Sequence, residues 1–200
     1  MSNIIEFYFD FISPFSYLAH TQLPQLARKY GYQLNYNVMD IPTAKLAAGN
    51  YGPSNQKVKP KITALMQDLN RWADHYGVPF AFPSGMVGKR INTGTFYAFD
   101  HGQAEEYVSK GFHELWGVGG QDANDDAFLM RIADELGWDA MAYLDFVNSE
   151  EGSKRFEQSR IKAHSAGVFG APIMILDEQI WWGNDRLMFV EEYLRAHPAD

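Results

Sequence analysis

The sequence predicts an α/β protein in which both ends of the chain build one sheet and a helical block is inserted between them. Three observations predict it. Strand signals occur only near the termini, at 4–9, 33–39, 172–176 and 179–182. A βαβ unit fills roughly the first forty residues. From about Thr43 to Ala166 the apolar pattern is helical, with no convincing strand. The expected division is 1–42 with 166–200 as a discontinuous sheet domain, and 43–165 as an all-helical insertion domain.

Ile4-Ile5-Glu6-Phe7-Tyr8-Phe9 is apolar on both faces and reads as a buried central strand. Ser13-Pro14 fits a helix cap and first helical position, and Gly31 is a stop. Residues 33–39 alternate as a half-buried strand does, and strand, helix, strand implies a right-handed crossover. Helices are expected at 60–76, 94–116, 125–136, 139–147 and 150–164, with Gly111 weakening the second as a single straight rod. Residues 172–176 and 179–182 flank Asp177-Glu178 as a hairpin, although Asp-Glu is not a preferred two-residue turn. A last helix is expected to start at Gly183-Asn184-Asp185-Arg186.

The composition, 200 residues with 46% hydrophobic and 21% charged, is that of an ordinary globular chain. Lys+Arg is 17 against 25 Asp+Glu, a formal charge of −8 with no basic run, which argues against nucleic acid or an anionic membrane as partner. The start lacks a signal peptide's basic region and no apolar run reaches about 18 residues, so a cytoplasmic location is expected. There is no cysteine. That removes disulfides, thiolate nucleophiles and cysteine-held metals, so any sulfur chemistry must use a sulfur brought in by a ligand.

Three stretches could carry chemistry. Ser13-Pro14-Phe15-Ser16 sits where a strand turns into a helix. The free N–H groups and partial positive charge there stabilise an anion and lower a thiol's pKa, and a hydroxyl can donate to a thiolate. The same residues would also serve as a plain cap. Val168-Phe169-Gly170-Ala171-Pro172 precedes a strand. A cis proline would turn the Ala171 backbone towards an extended ligand, whereas a trans one would merely open the strand. In Gly183-Asn184-Asp185-Arg186, N–H groups could hold a carboxylate and Asp185 an ammonium, as an amino-acid head group requires, or the segment could simply cap a helix. The six histidines form no HxxxH pair and no metal site is expected. Gly117-Val118-Gly119-Gly120 follows a helix, which excludes a dinucleotide loop, and the absence of G-x-S-x-G counts against an α/β-hydrolase.

The β-α-β…β-β-α order, an S-x-x-S where a C-x-x-C would stand, and a late Ala-Pro before a strand form one pattern. The chain resembles thioredoxin-like proteins with an inserted helical domain. More narrowly it resembles the 2-hydroxychromene-2-carboxylate isomerases, relatives of kappa-class glutathione transferases and DsbA proteins. The resemblance rests on the run from Phe7 to Ala19, Gly49-Asn50-Tyr51-Gly52-Pro53-Ser54-Asn55, Arg71-Trp72-Ala73, Val168 to Pro172, and Trp181 to Arg186.

The resemblance implies glutathione as cofactor. Ser13 would contact its sulfur, Ala171 before a cis Pro172 its backbone, and Asn184 and Asp185 its γ-glutamyl end. Asn55 would lie on the substrate side of the cleft, with Lys57 and Arg90, besides Lys45 and Lys89, as candidates for a substrate carboxylate. The implied reaction interconverts 2-hydroxychromene-2-carboxylate and trans-o-hydroxybenzylidenepyruvate, from naphthalene-type aromatic catabolism, by reversible thiolate addition. A homodimer acting on a small aromatic carboxylate, with no nucleic-acid or membrane partner, is the expected working unit. The rivals are a glutathione transferase that releases a stable conjugate and a non-catalytic glutathione binder. Thiol–disulfide exchange by the protein is excluded by the lack of cysteine.

Overall fold

The computed structural model describes residues 3–52 and 57–199. Its sheet has four strands in the order β2-β1-β3-β4, where β1 is Ile4–Phe9, β2 Gln33–Val38, β3 Ile173–Leu176 and β4 Gln179–Trp182. β1 runs parallel to β2 with Phe7 opposite Tyr36, and antiparallel to β3 with Phe7 opposite Met174. β4 returns antiparallel to β3 as the edge. β1 is thus interior, which is why its apolar residues occupy both faces. Ile5, Phe7 and Phe9 are fully buried on one side, and Tyr8 is buried on the other.

Helix α1, Pro14–Lys29, crosses between β1 and β2 and packs on the face of Phe7. On the opposite face Tyr8 and Ile173 pack with Met39, Ala44, Ala163 and Val168. Ala44 belongs to α2, Ile41–Ala47, a helix the periodicity did not reveal, although Asp40 caps it by accepting from Thr43 N–H at 3.0 Å. The helices expected at 60–76, 125–136, 139–147 and 150–164 are α3, Lys59–Tyr76, α6, Asp126–Glu135, α7, Ala140–Asn148, and α8, Glu150–Ser165. Asp125, Asp139 and Ser149 each cap one of the last three through a side-chain oxygen. The only extended pairing between 43 and 165 among the described residues is a single bridge, Gly85 with Asp122.

The segment 94–116 is not one helix. It divides into α4, Lys89–Asp100, α5, Ala104–Phe112, and a π-helical stretch His113–Val118. Gly102 ends the first piece at φ +67°, a conformation glycine adopts without a Cβ clash. Gly111 lies inside α5 because Phe11 packs there, where an added Cβ would approach the Phe11 ring to 2.6 Å. The last helix also starts later than its capping pattern implied. Asn184–Arg186 form a 3₁₀ turn, and α9 is Leu187–Ala196. Insertion and sheet share one apolar cluster, fastened by Trp116, whose Nε1–H donates to Phe11 O at 2.7 Å.

Asp177 and Glu178 form the hairpin turn with φ +47° and +69°. A two-residue turn with both centres left-handed matches the twist of its strands but strains any residue with a Cβ. Asp177 accepts a hydrogen bond from Tyr193, whereas among the described residues no side-chain bond is made by Glu178. Glu178→Gly is expected to stabilise the protein by about 1 kcal/mol, and to raise Tm by about 2–4 °C in calorimetry.

Candidate active site

The strand register gathers the candidate residues at one edge of the sheet. Phe9 is opposite Val38, Tyr8 is opposite Ile173, and Ile173 is opposite Trp182. The end of β1, the end of β2, the start of β3 and the end of β4 therefore open on the same side. The turns that leave them carry Ser13, Asp40, Ala171-Pro172 and Gly183 to Asp185.

Ser13 is the N-cap of α1 and only 4% exposed. Its Oγ accepts the Ser16 N–H at 3.1 Å, Pro14 occupies the first turn, and that turn contains no acidic residue. No carboxylate of that turn occupies the positive end of the helix, where an anion is stabilised. The Ser13 hydroxyl donates to Ala171 O at 3.3 Å, so the cap and the loop before β3 touch. The Ala171–Pro172 peptide is cis.

Pro172 O accepts the Gly183 N–H at 3.0 Å, which carries the arrangement on to the 3₁₀ turn. Gly183 has φ +108°, and a Cβ there would collide with the Asp185 carboxylate. Asn184 is 2% exposed, and its buried Nδ2 meets no hydrogen-bond partner among the described residues. A buried donor left unmade costs free energy, and such groups gather where a ligand or water completes them. Asn184 O accepts from Tyr76 OH at 3.1 Å, tying the turn to α3. Asp185 is half-exposed and paired with Arg186 at 2.7 Å. Asn184, Asp185, Trp72 and Tyr76 line a groove of about 640 Å³ between α1, α3 and α9.

On the substrate side the picture differs from the sequence reading. Asn55 lies outside the described residues. Lys57 is exposed just before α3, and among the described residues no contact joins it to Ser13. The Arg90 guanidinium is turned towards the start of α6, donating to Asn124 O at 2.7 Å and pairing with Asp126 at 2.5 Å. Its fork holds α4 to α6, a partnership across 36 positions that no local pattern reveals. Lys45, on α2, donates to Gly52 O at 2.8 Å. Among the described residues no three His, Asp or Glu side chains gather as a metal site.

Sequence reasoning missed Asp10 and Asn92. Asp10 is fully buried directly before the Ser13 turn. Its Oδ1 accepts from Ile12 N–H at 3.2 Å and Asn92 Nδ2 at 2.8 Å, and its Oδ2 from Ile41 N–H at 3.0 Å. Burial pushes its carboxyl up to about 6, aided by the negative charge of Asp40, while the three hydrogen bonds pull the other way. No local signal singles Asp10 out: Glu6 is a second carboxylate in the same apolar run, 4–12, and the partner Asn92 is 82 positions away.

The profile of the DSBA-like thioredoxin domain matches residues 4–195. The 2-hydroxychromene-2-carboxylate isomerase of Sphingobium xenophagum is 50% identical over 97% of this chain and 99% of its own. That of Pseudomonas putida is 42% identical over 94% and 92%. A solved structure of a 2-hydroxychromene-2-carboxylate isomerase superposes with a TM-score of 0.92 at 40% identity, covering 96% of this chain and 95% of the other. With this fold, this edge of the sheet and these relatives, the chain belongs to the 2-hydroxychromene-2-carboxylate isomerases, within the DSBA-like thioredoxin family.

Proposed function

We propose that this isomerase uses glutathione as a catalytic thiol to interconvert 2-hydroxychromene-2-carboxylate and trans-o-hydroxybenzylidenepyruvate. The observation that carries the reading is a buried serine capping a helix whose first turn has no acidic residue, beside the Ala171–Pro172 loop, in a chain with no cysteine. A related thioredoxin-fold protein, the cytosolic disulfide reductase DsbM of Pseudomonas aeruginosa, has been solved with glutathione, at 15% identity and a TM-score of 0.67.

The residues fit such a guest. The unpartnered Nδ2 of Asn184 and the Asp185 carboxylate suit the carboxylate and ammonium of the γ-glutamyl end. The Ala171 backbone before the cis peptide suits an extended peptide. Bound glutathione supplies a thiolate, which adds reversibly to a conjugated double bond, frees it to rotate, and leaves unconsumed.

The protein's own part is electrostatic and positional. The N–H groups opening α1 favour the ionised thiol. Ser13 turns its proton from Ala171 O to the sulfur, which costs little because the present bond is long. Convergent donors at the cleft would hold the substrate carboxylate. Lys45 lies on α2, whose first N–H groups are fixed to Asp10 and Asp40, and would be one such donor.

Ser13→Ala is expected to raise the barrier by roughly 2–4 kcal/mol, the cost of one donor to a localised anion. Steady-state kinetics should show it in kcat, while calorimetry shows glutathione affinity largely spared. Asp185→Asn should do the reverse, weakening glutathione about tenfold through one charge-assisted contact, with turnover at saturation unchanged. The deciding assay follows substrate absorbance with substoichiometric glutathione. Complete equilibration of the two isomers with free thiol conserved is expected. Stoichiometric thiol loss with a stable conjugate would instead establish a transferase, and binding without any reaction a passive binder.

A further inference from the structure

The turns that leave β1 and β2 open on the same sheet edge, and one buried polar cluster joins them to α4. Asp10 directly follows β1, Asn92 lies in the first turn of α4, and the two are 82 positions apart. Asp10 accepts from Ile12, next to Ser13, and from Ile41, the first residue of α2. Asn92 donates from Nδ2 to Asp10 and, at 3.3 Å, to Met39 O, and its Oδ1 accepts the Phe11 N–H at 3.1 Å. Gly88, just before α4, approaches so closely that a Cβ would lie 2.7 Å from Ile12 and 3.3 Å from Asp10 Oδ1. Every backbone group named here flanks the Ser13 turn or opens α2.

We propose that Asp10 and Asn92 are positioning residues that lock the sulfur-binding turn to α2, so that thiol and substrate meet at a fixed separation. The inference rests on the glutathione-dependent reading and extends it to residues that touch neither ligand. A carboxylate is needed because two backbone N–H groups and an amide converge on Asp10 from different elements. An acceptor-only group with two oxygens serves all three. An asparagine in its place would turn an NH₂ towards one of those donors.

The cluster is costly to keep. Burial opposes ionisation of Asp10, and Asp40 on the neighbouring cap adds repulsion of the same sign. An apolar residue here would avoid the buried charge but leave the Ile12 and Ile41 N–H groups without an acceptor, so the carboxylate serves the convergence of donors from two elements.

The test compares wild type with Asp10→Asn and Asn92→Ala, measuring kcat and KM for the isomerisation, glutathione affinity by calorimetry, and Tm. For Asp10→Asn, kcat per folded molecule should fall roughly ten- to hundredfold, as small misplacements of reacting groups do, with glutathione affinity within threefold and a lower Tm, because one buried donor loses its acceptor. Asn92→Ala should move kcat the same way by less, and it decides the matter should Asp10→Asn fail to fold. A kcat within twofold of wild type in the folded variants overturns the proposal, as does a loss of Tm with turnover per folded molecule intact. A wild type that binds glutathione but does not isomerise overturns the functional reading itself, which the variant ratios cannot mimic.

Discussion

A hydroxyl group has one proton to give, and the candidate site is organised around where Ser13 gives it. Its oxygen is committed to the Ser16 N–H as helix cap, which fixes the side chain's orientation. Its proton goes to Ala171 O over 3.3 Å, a bond near the limit of useful length. The cap therefore persists whether or not the proton is redirected. A cysteine in this place would offer a sulfur of its own, whereas a serine offers a donor and leaves the sulfur to a ligand. The cis Ala171–Pro172 bond, the glycine turn at 183 and the unpartnered amide of Asn184 all lie along the line that starts from this contact.

That line has to be held from behind, and two different kinds of contact hold it. Apolar packing does so generally: Phe7, Phe9 and Phe11 stack and edge into one another and into Phe112 of α5. Polar contacts do so specifically. Trp116 donates to Phe11 O, Asn92 accepts from Phe11 N–H, and Tyr76 reaches Asn184 O. Each originates in the inserted helices and ends on a backbone group beside the cleft. Packing alone tolerates small shifts along an interface, while a hydrogen bond to one carbonyl or one N–H sets a register. The insertion thus holds the sheet-edge turns in place as well as covering the sheet.

What was legible in the sequence follows the range of the interaction concerned. Caps are local, so Ser13 could be read from a few residues, and the helix starts near 125, 139 and 150 fall beside the caps Asp125, Asp139 and Ser149. The apolar run of β1 announced a central strand for the same reason. The split of 94–116 was harder, because Gly111 weakens a helix on paper while in the structure it admits Phe11, and the break falls instead at Gly102. Arg90 looked free to bind a substrate carboxylate because its partners, Asn124 and Asp126, are distant in sequence. Asp10 and Asn92 escaped notice because each is unremarkable alone and meaningful only as a pair. Asp40-Ile41-Pro42 did carry a readable cap and helix start, and a purely apolar search passed over it.

The topology explains why distant segments converge at all. With β1 parallel to β2, both strands end at the same edge, and α1 must begin there to cross back. With β3 antiparallel to β1, its first residue arrives at that edge too, and the hairpin returns the end of β4 to it. A fold with β3 parallel to β1 would place Pro172 at the far edge, away from the helix N-terminus. The strained Asp177-Glu178 turn belongs to this requirement. Two residues are the shortest connection that sends β4 back in register, so that Trp182 faces Ile173 and Gly183 reaches Pro172 O. Strain far from the cleft is in this way coupled to the position of Asn184 and Asp185 within it.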